Sequence, residues 1–119
     1  MSSPFASALE DISSHGGVLG CLVVGEDDGI IIDSELRHEV DGQTIAALAA
    51  SLFRKAGSST QAAGLGGVRF LRLQAQQGHL LAVRIPDGRD DLAIVALVEE
   101  HANVGMLRAS MMRLAGVLA

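Results

Sequence analysis

The chain contains no tryptophan or tyrosine and only three phenylalanines, and nine of its 119 residues are lysine or arginine against 14 aspartates and glutamates. Nucleic-acid binding needs cations to neutralise phosphates and aromatic rings on which bases stack, so a chain of net charge −5 built this way lacks both. The scarcity of aromatics also argues against a sugar-binding groove. Cysteine occurs once, as Cys21 in the apolar run Val18–Val24, which excludes an internal disulfide framework and points to a reducing, cytoplasmic setting. Cys21 is read as a small buried hydrophobe. No apolar run reaches the roughly 18 residues of a membrane span. The amino terminus carries no basic segment leading into a signal-like apolar stretch. The length fits one domain, residues 1–119, able to bury roughly two thirds of its unfolded surface and so to hold a core without metal or disulfide.

The strongest helical signal runs from Gln43 to about Gln61. At about 100° per residue, Ile45, Leu48, Ala49, Leu52 and Ala56 fall on one side, and Ala46, Ala47, Ala50 and Phe53, with Arg54 among them, lie round the other. A helix that is apolar nearly all round must cover something on two sides, and in so short a chain the second covered surface is predicted to belong to another copy. Alanine is also the best helix former, so an alanine-rich helix beneath a loop is the alternative. The segment Ala56–Gly67 mixes helix formers with breakers, so the helix either stops near Gly57 or continues unsteadily to Ala63, and continuation with fraying is the expectation.

Ahead of this helix, Ser3-Pro4 predicts an N-cap and a proline at the first helical position, with Phe5, Ala8, Leu9 and Ile12 at helical spacing. That helix should end at Ser13–Gly17, with His15 in its last turn serving the dipole. Val18–Val24, the acidic turn Gly25–Gly29 and Ile30–Ile32 read as a hairpin whose first strand is covered on both faces and whose second is an edge. Three strands follow, Arg69–Gln76, His79–Ile85 and Leu92–Val98, joined by Gln77-Gly78 and by Pro86–Asp91. In the first of them, Leu71, Leu73 and Ala75 alternate with Arg72, Gln74 and Gln76, as in a strand with one wet face. The last is unbroken in apolarity, so it should be central and pair with Val18–Val24. Asn103 is a predicted N-cap for a helix striped by Val104, Leu107, Met111, Leu114 and Leu118, with Arg108 and Arg113 off the stripe. The fold class is α+β. Its order is helix, two strands, helix, three strands, helix, a three-layer α/β/α domain with a five-stranded antiparallel sheet in the order 2-1-5-4-3. The third strand is left as a free edge.

Catalytic and ligand motifs are absent from the pattern. Glu26, Asp27 and Asp28 lack the later glycine and glutamate of a calcium loop and read as a solvated turn. Gly64-Leu-Gly-Gly67 follows no strand and precedes no Lys-Ser or Lys-Thr, so it reads as a connector rather than a phosphate cradle. His15, His38, His79 and His101 are scattered one to an element, with no serine, histidine and carboxylate spaced for nucleophilic catalysis and no paired metal ligands. No enzymatic activity, cofactor or metal is expected.

Gly17-Val-Leu-Gly-Cys-Leu-Val-Val24 with its acidic turn and Gly29-Ile-Ile-Ile32, the alanine-rich second helix, and Asn103-Val-Gly-Met-Leu-Arg108 together resemble the Roadblock family. That family, named from a dynein light chain, has a profilin-like fold and includes bacterial proteins that control Ras-like GTPases. The resemblance implies a non-catalytic homodimer in which second helices pack together and third strands pair. It assigns Ala46, Ala47, Ala50, Phe53, Arg54, Leu71 and Leu73 to the dimer interface. It further implies docking on a Ras-like small GTPase, for which Gln43, Arg54 and Lys55 are the candidate contacts. A structural adaptor without a GTPase and a small-molecule-binding domain are the alternatives.

Overall fold

Runs without charge take the middle of the sheet and mixed runs take its edges. The computed structural model describes residues 3–37, 39–86 and 91–119. In chain order the elements are α1 (Ala6–Ser13), β1 (Val18–Gly25), β2 (Ile31–Leu36), α2 (Gly42–Ala62), β3 (Phe70–Gln74), β4 (Gly78–Arg84), β5 (Leu92–Glu99) and α3 (Val104–Leu118). All strand pairs are antiparallel and the order is β2-β1-β5-β4-β3, as the apolarity of β1 and β5 predicts. Helices α1 and α3 cover one face of the sheet and α2 covers the other, which gives the expected three layers.

Alternation along the strands sorts the core into two parts. On the α1/α3 face, Leu9, Ile12, Leu107, Met111 and Leu114 pack on Cys21, Val23, Leu81, Val83, Ile94 and Val98. On the α2 face, Ala46, Ala49 and Phe53 pack on Leu22, Val24, Ala82, Ala93 and Val95. Cys21 is fully buried, and removal from water pushes its thiol up to about 11, so it stays protonated and unreactive. No described helix is long and apolar enough to cross a membrane.

The helix ends show which local signals held. Asn103 caps α3 as expected, its side chain accepting from the Met106 amide at 3.1 Å. Asp41 caps α2, accepting from the Thr44 amide at 3.3 Å and from the Thr44 hydroxyl at 2.7 Å, and these bonds lower its pKa. Helix α2 runs through Gly57 to Ala62 and then stops in a Schellman arrangement, with Leu65 N donating to Thr60 O, Gly64 N donating to Gln61 O, and Gly64 at φ 78°. The start of α1 differs from expectation. Pro4 lies in a turn ahead of the helix, and the Ser3 hydroxyl accepts from the Phe5 amide and donates to Asp33 on β2, so Ser3 fastens the amino-terminal segment to the sheet. His15 likewise lies beyond the last turn, because α1 already ends at Ser13. Strand β2 extends to Leu36, past the expected end at Ile32, since an edge strand needs apolar residues on one face only. His38 and residues 87–90 of the Pro86–Asp91 turn lie outside the described residues.

Candidate interaction surface

The facing of α2 decides what the helix can offer a partner. Its buried row is Ala46, Ala49, Ala50 and Phe53, an i, i+3, i+4, i+7 stripe turned onto the chain's own sheet. This corrects the expectation for Ala46, Ala50 and Phe53, which are at most 5% exposed and have no surface left for a second chain. The expected inner side shifts in the same sense, for Leu48 is 56% exposed. Of the helix residues assigned to an interface, Ala47 remains on the outside, joined there by Leu48 and the half-buried Ser51. Gly29, at φ 70°, explains how closely α2 is held. A Cβ there would sit 3.1 Å from the Ala47 Cα, so the β1–β2 turn can touch the helix backbone only because the side chain is missing.

Helix α2 is too narrow to cover its face of the sheet. Leu73 pairs with Leu80, Leu80 with Leu97, and Leu97 with Gly20, so three leucines stand in one cross-strand row on the α2 side. The neighbouring row of Leu71, Ala82, Val95 and Leu22 lies under the helix. The Leu73–Leu80–Leu97 row is covered only at Leu80, which packs on the margin of the core under α2, and it lines a shallow apolar depression of about 330 Å³ together with Leu19 and Ala75. Leu73 is 40% exposed, and the outer edge of β3 beside it pairs with no described strand. Leu73 is thus accessible beside the free edge, and Leu71 lies half-buried one row further in. The period-two alternation in β4 and β5 already marks Leu80 and Leu97 as facing α2. The signal that went unread is geometric, since one helix cannot roof five strands.

The charged candidates divide between the surface and a structural latch. Gln43 and Lys55 are exposed on α2. Arg54 instead turns back on its own chain, where Nη1 donates to the carbonyls of Glu26 at 2.6 Å and Asp27 at 2.9 Å. Glu26 is buried, which corrects the reading of Glu26–Asp28 as wholly solvated. Its Oε2 accepts from Arg84 Nη2 at 3.0 Å, Arg84 also reaches Asp91 at 3.2 Å, and Oε1 has no partner among the described residues. Burial raises the Glu26 pKa from its ordinary value, with the Arg84 charge opposing. Arg54, Glu26 and Arg84 thus bolt the carboxyl-terminal half of α2 to the β1–β2 turn and to β4, around a cleft of about 270 Å³. Arg108 has a structural role as well, its guanidinium lying 5.2 Å from the centre of the Phe70 ring. Among the described residues, no group of three or more histidines, cysteines or carboxylates is placed to hold a metal ion.

Known proteins share both this sequence pattern and this topology. The model of the Roadblock/LC7 domain family matches residues 5–90. An uncharacterized protein of Methanocaldococcus jannaschii is 31% identical over 107 residues, which span 90% of this chain and 86% of that protein. Among solved structures, a Roadblock/LC7 domain from Streptomyces avermitilis superposes with a TM-score of 0.84 at 16% identity, covering 98% of this chain and 95% of the other. MglB of Myxococcus xanthus gives a TM-score of 0.83 at 13% identity, covering 98% and 94%. Sheet order, flanking helices and the match over residues 5–90 agree, and the chain belongs to the Roadblock/LC7 domain family.

Proposed function

We propose that this chain is a non-enzymatic, dimeric regulator or scaffold that docks on a Ras-like small GTPase. One observation carries the reading: a row of leucines lies open on the α2 side of the sheet, directly beside an unpaired strand edge. A second copy related by a two-fold axis would pair its β3 with this β3. It would also bring the outer row of its α2, Ala47, Leu48 and Ser51, over Leu73, Leu80 and Leu97. Small residues at Ala47 and Ser51 let the two helices approach closely. The interface is thus assigned to Ala47, Leu48, Leu73, Leu80 and Leu97.

The resemblance to bacterial Roadblock proteins that control Ras-like GTPases supports the choice of partner. Pairing two α2 helices builds one broad face that neither protomer has alone, with Gln43 and Lys55 of both copies exposed on it. A GTPase switch segment ordered in one nucleotide state and mobile in the other would be distinguished there by the free energy of that ordering. Arg54 serves the latch, so any stimulation of hydrolysis would come from repositioning the GTPase's own groups. The test is binding of Ras-like GTPases from the same organism, each loaded with GDP or a GTP analogue. The expected result is tighter binding of the triphosphate form, weakened by Lys55→Ala. Equal affinity for both forms would reduce the role to passive scaffolding, and no binding at all would favour an adaptor without a GTPase. Loss of about a thousandfold in stimulated hydrolysis on Arg54→Ala or Arg108→Ala would reveal a directly supplied arginine and overturn the non-catalytic reading.

A further inference from the structure

The opposite edge of the sheet carries a second surface of different chemistry. At the end of β2, Ile30 and Ile32 are 58% and 46% exposed, unusual for isoleucines beside an otherwise closed core. Ile32 stands out because Val23 pairs with Asp33 and Val24 with Ile31, which leaves Ile32 as the extra residue of a bulge. With Phe5 and Leu92 these two isoleucines line a groove of about 480 Å³ whose remaining side chains are Asp27, Asp28 and Asp91. Among the described residues, no lysine or arginine lines it. The sequence beside it is acidic, residues 26–41 holding seven carboxylates against the single arginine Arg37, and of the groove's own carboxylates Asp91 is already paired with Arg84. No hydrogen bond or ion pair joins the side chain of Asp27 or Glu35 to another described residue. Strand β2 is the last of the sheet, so its outer backbone groups meet no described strand either.

We propose that the β2 edge is a docking site for an extended segment of another protein in which lysines or arginines alternate with bulky apolar side chains. The segment adds as a sixth strand, supplying backbone partners to β2. One apolar side chain enters between Ile30, Ile32 and Phe5, and a cation of the segment meets Asp27 at the end of the groove. The charge argument selects this occupant over others. An anionic membrane or a nucleic acid would be repelled by the carboxylates, and an acidic or neutral peptide would leave them unpaired. The inference does not rest on the proposed dimer, because β2 and β3 are opposite edges and both can be occupied at once.

The probe is a labelled heptapeptide of alternating lysine and valine, followed by fluorescence anisotropy, with a glutamate–valine peptide as control. Saturable binding of the lysine peptide alone is expected, weakening about tenfold or more as salt rises from roughly 0.05 to 0.5 M. Ile32→Thr and Asp27→Asn should each weaken it about tenfold, which corresponds to about 1.4 kcal/mol, while Leu73→Thr at the other edge leaves it unchanged. If Ile32→Thr also lowers the melting temperature, amide shifts in the unmodified protein decide. Shifts confined to β2 and the Phe5 region uphold the site, and shifts centred on α2 overturn it. Equal binding of the glutamate peptide, indifference to Ile32→Thr, or no saturation at millimolar peptide would each overturn it as well.

Discussion

On one face of the sheet two helices, α1 and α3, bring leucine, isoleucine and methionine onto β1, β4 and β5. On the other, α2 alone brings three alanines and one phenylalanine. The two-helix face is closed over β1, β5 and β4. The one-helix face is closed only beneath α2, and a row of leucines is left in the open. Small side chains hold α2 close to the sheet but give it little reach, so the width it fails to cover is fixed by its own composition. A face closed in this way keeps its stability in one half and its capacity for association in the other.

The sharpest way to break this comparison is a charge on each side of α2. Ala50→Glu buries a carboxylate at a position only 1% exposed, a change costing several kcal/mol, on the order of 4, and it should abolish cooperative thermal unfolding in circular dichroism. Leu48→Glu, on the outer side, should leave the fold and melting temperature nearly native while turning the proposed dimer into monomer by light scattering. A folded Ala50→Glu protein, or an unfolded Leu48→Glu protein, would show the helix turned the other way. Truncation comes next in size. Met111→Ala on the closed face should cost about 2–5 kcal/mol in urea unfolding. Leu80→Ala, half-buried in the open row, should cost about 1 kcal/mol in the dissociated protomer. Similar losses at both sites would mean that the two faces are equally closed.

The smallest expected effect concerns the latch at the end of the α2 face. Because the folded state raises the Glu26 pKa, it holds that proton more tightly than the unfolded chain does, so this group's contribution to stability falls as pH rises through the folded pKa. Glu26→Gln cannot titrate. The melting-temperature difference between variant and native protein should therefore move in the variant's favour between about pH 4 and pH 7. A difference independent of pH would show that Arg84 fully compensates the buried carboxylate.

Much of this architecture follows from local sequence. The unbroken apolarity of Val18–Val24 and Leu92–Val98 dictates two central strands, and Asn103 marks the start of the last helix because its side chain satisfies an amide that the helix leaves unpaired. The sequence leaves two ends open for α2, and the helix runs on to Ala62 because one glycine at Gly57 costs a long helix only about 1 kcal/mol. The direction α2 faces was not legible. Ala46, Ala47, Ala49 and Ala50 are chemically identical, so the sequence carries no phase to tell the sheet side from the solvent side. The sheet makes that choice by accepting Phe53 onto its face among Leu22, Val24, Ala82 and Val95 and leaving Leu48 outside. Glu26 was read as solvated for a similar reason, because its partner Arg84 is 58 residues away and only strand pairing brings the two together. Sequence determines which segments are helix or strand and which strands must be central, for those depend on neighbouring residues and on the cost of exposing apolar runs. Which face of an alanine helix is hidden, which leucines remain open and which carboxylate is buried depend on contacts between distant segments, and only the tertiary structure decides them.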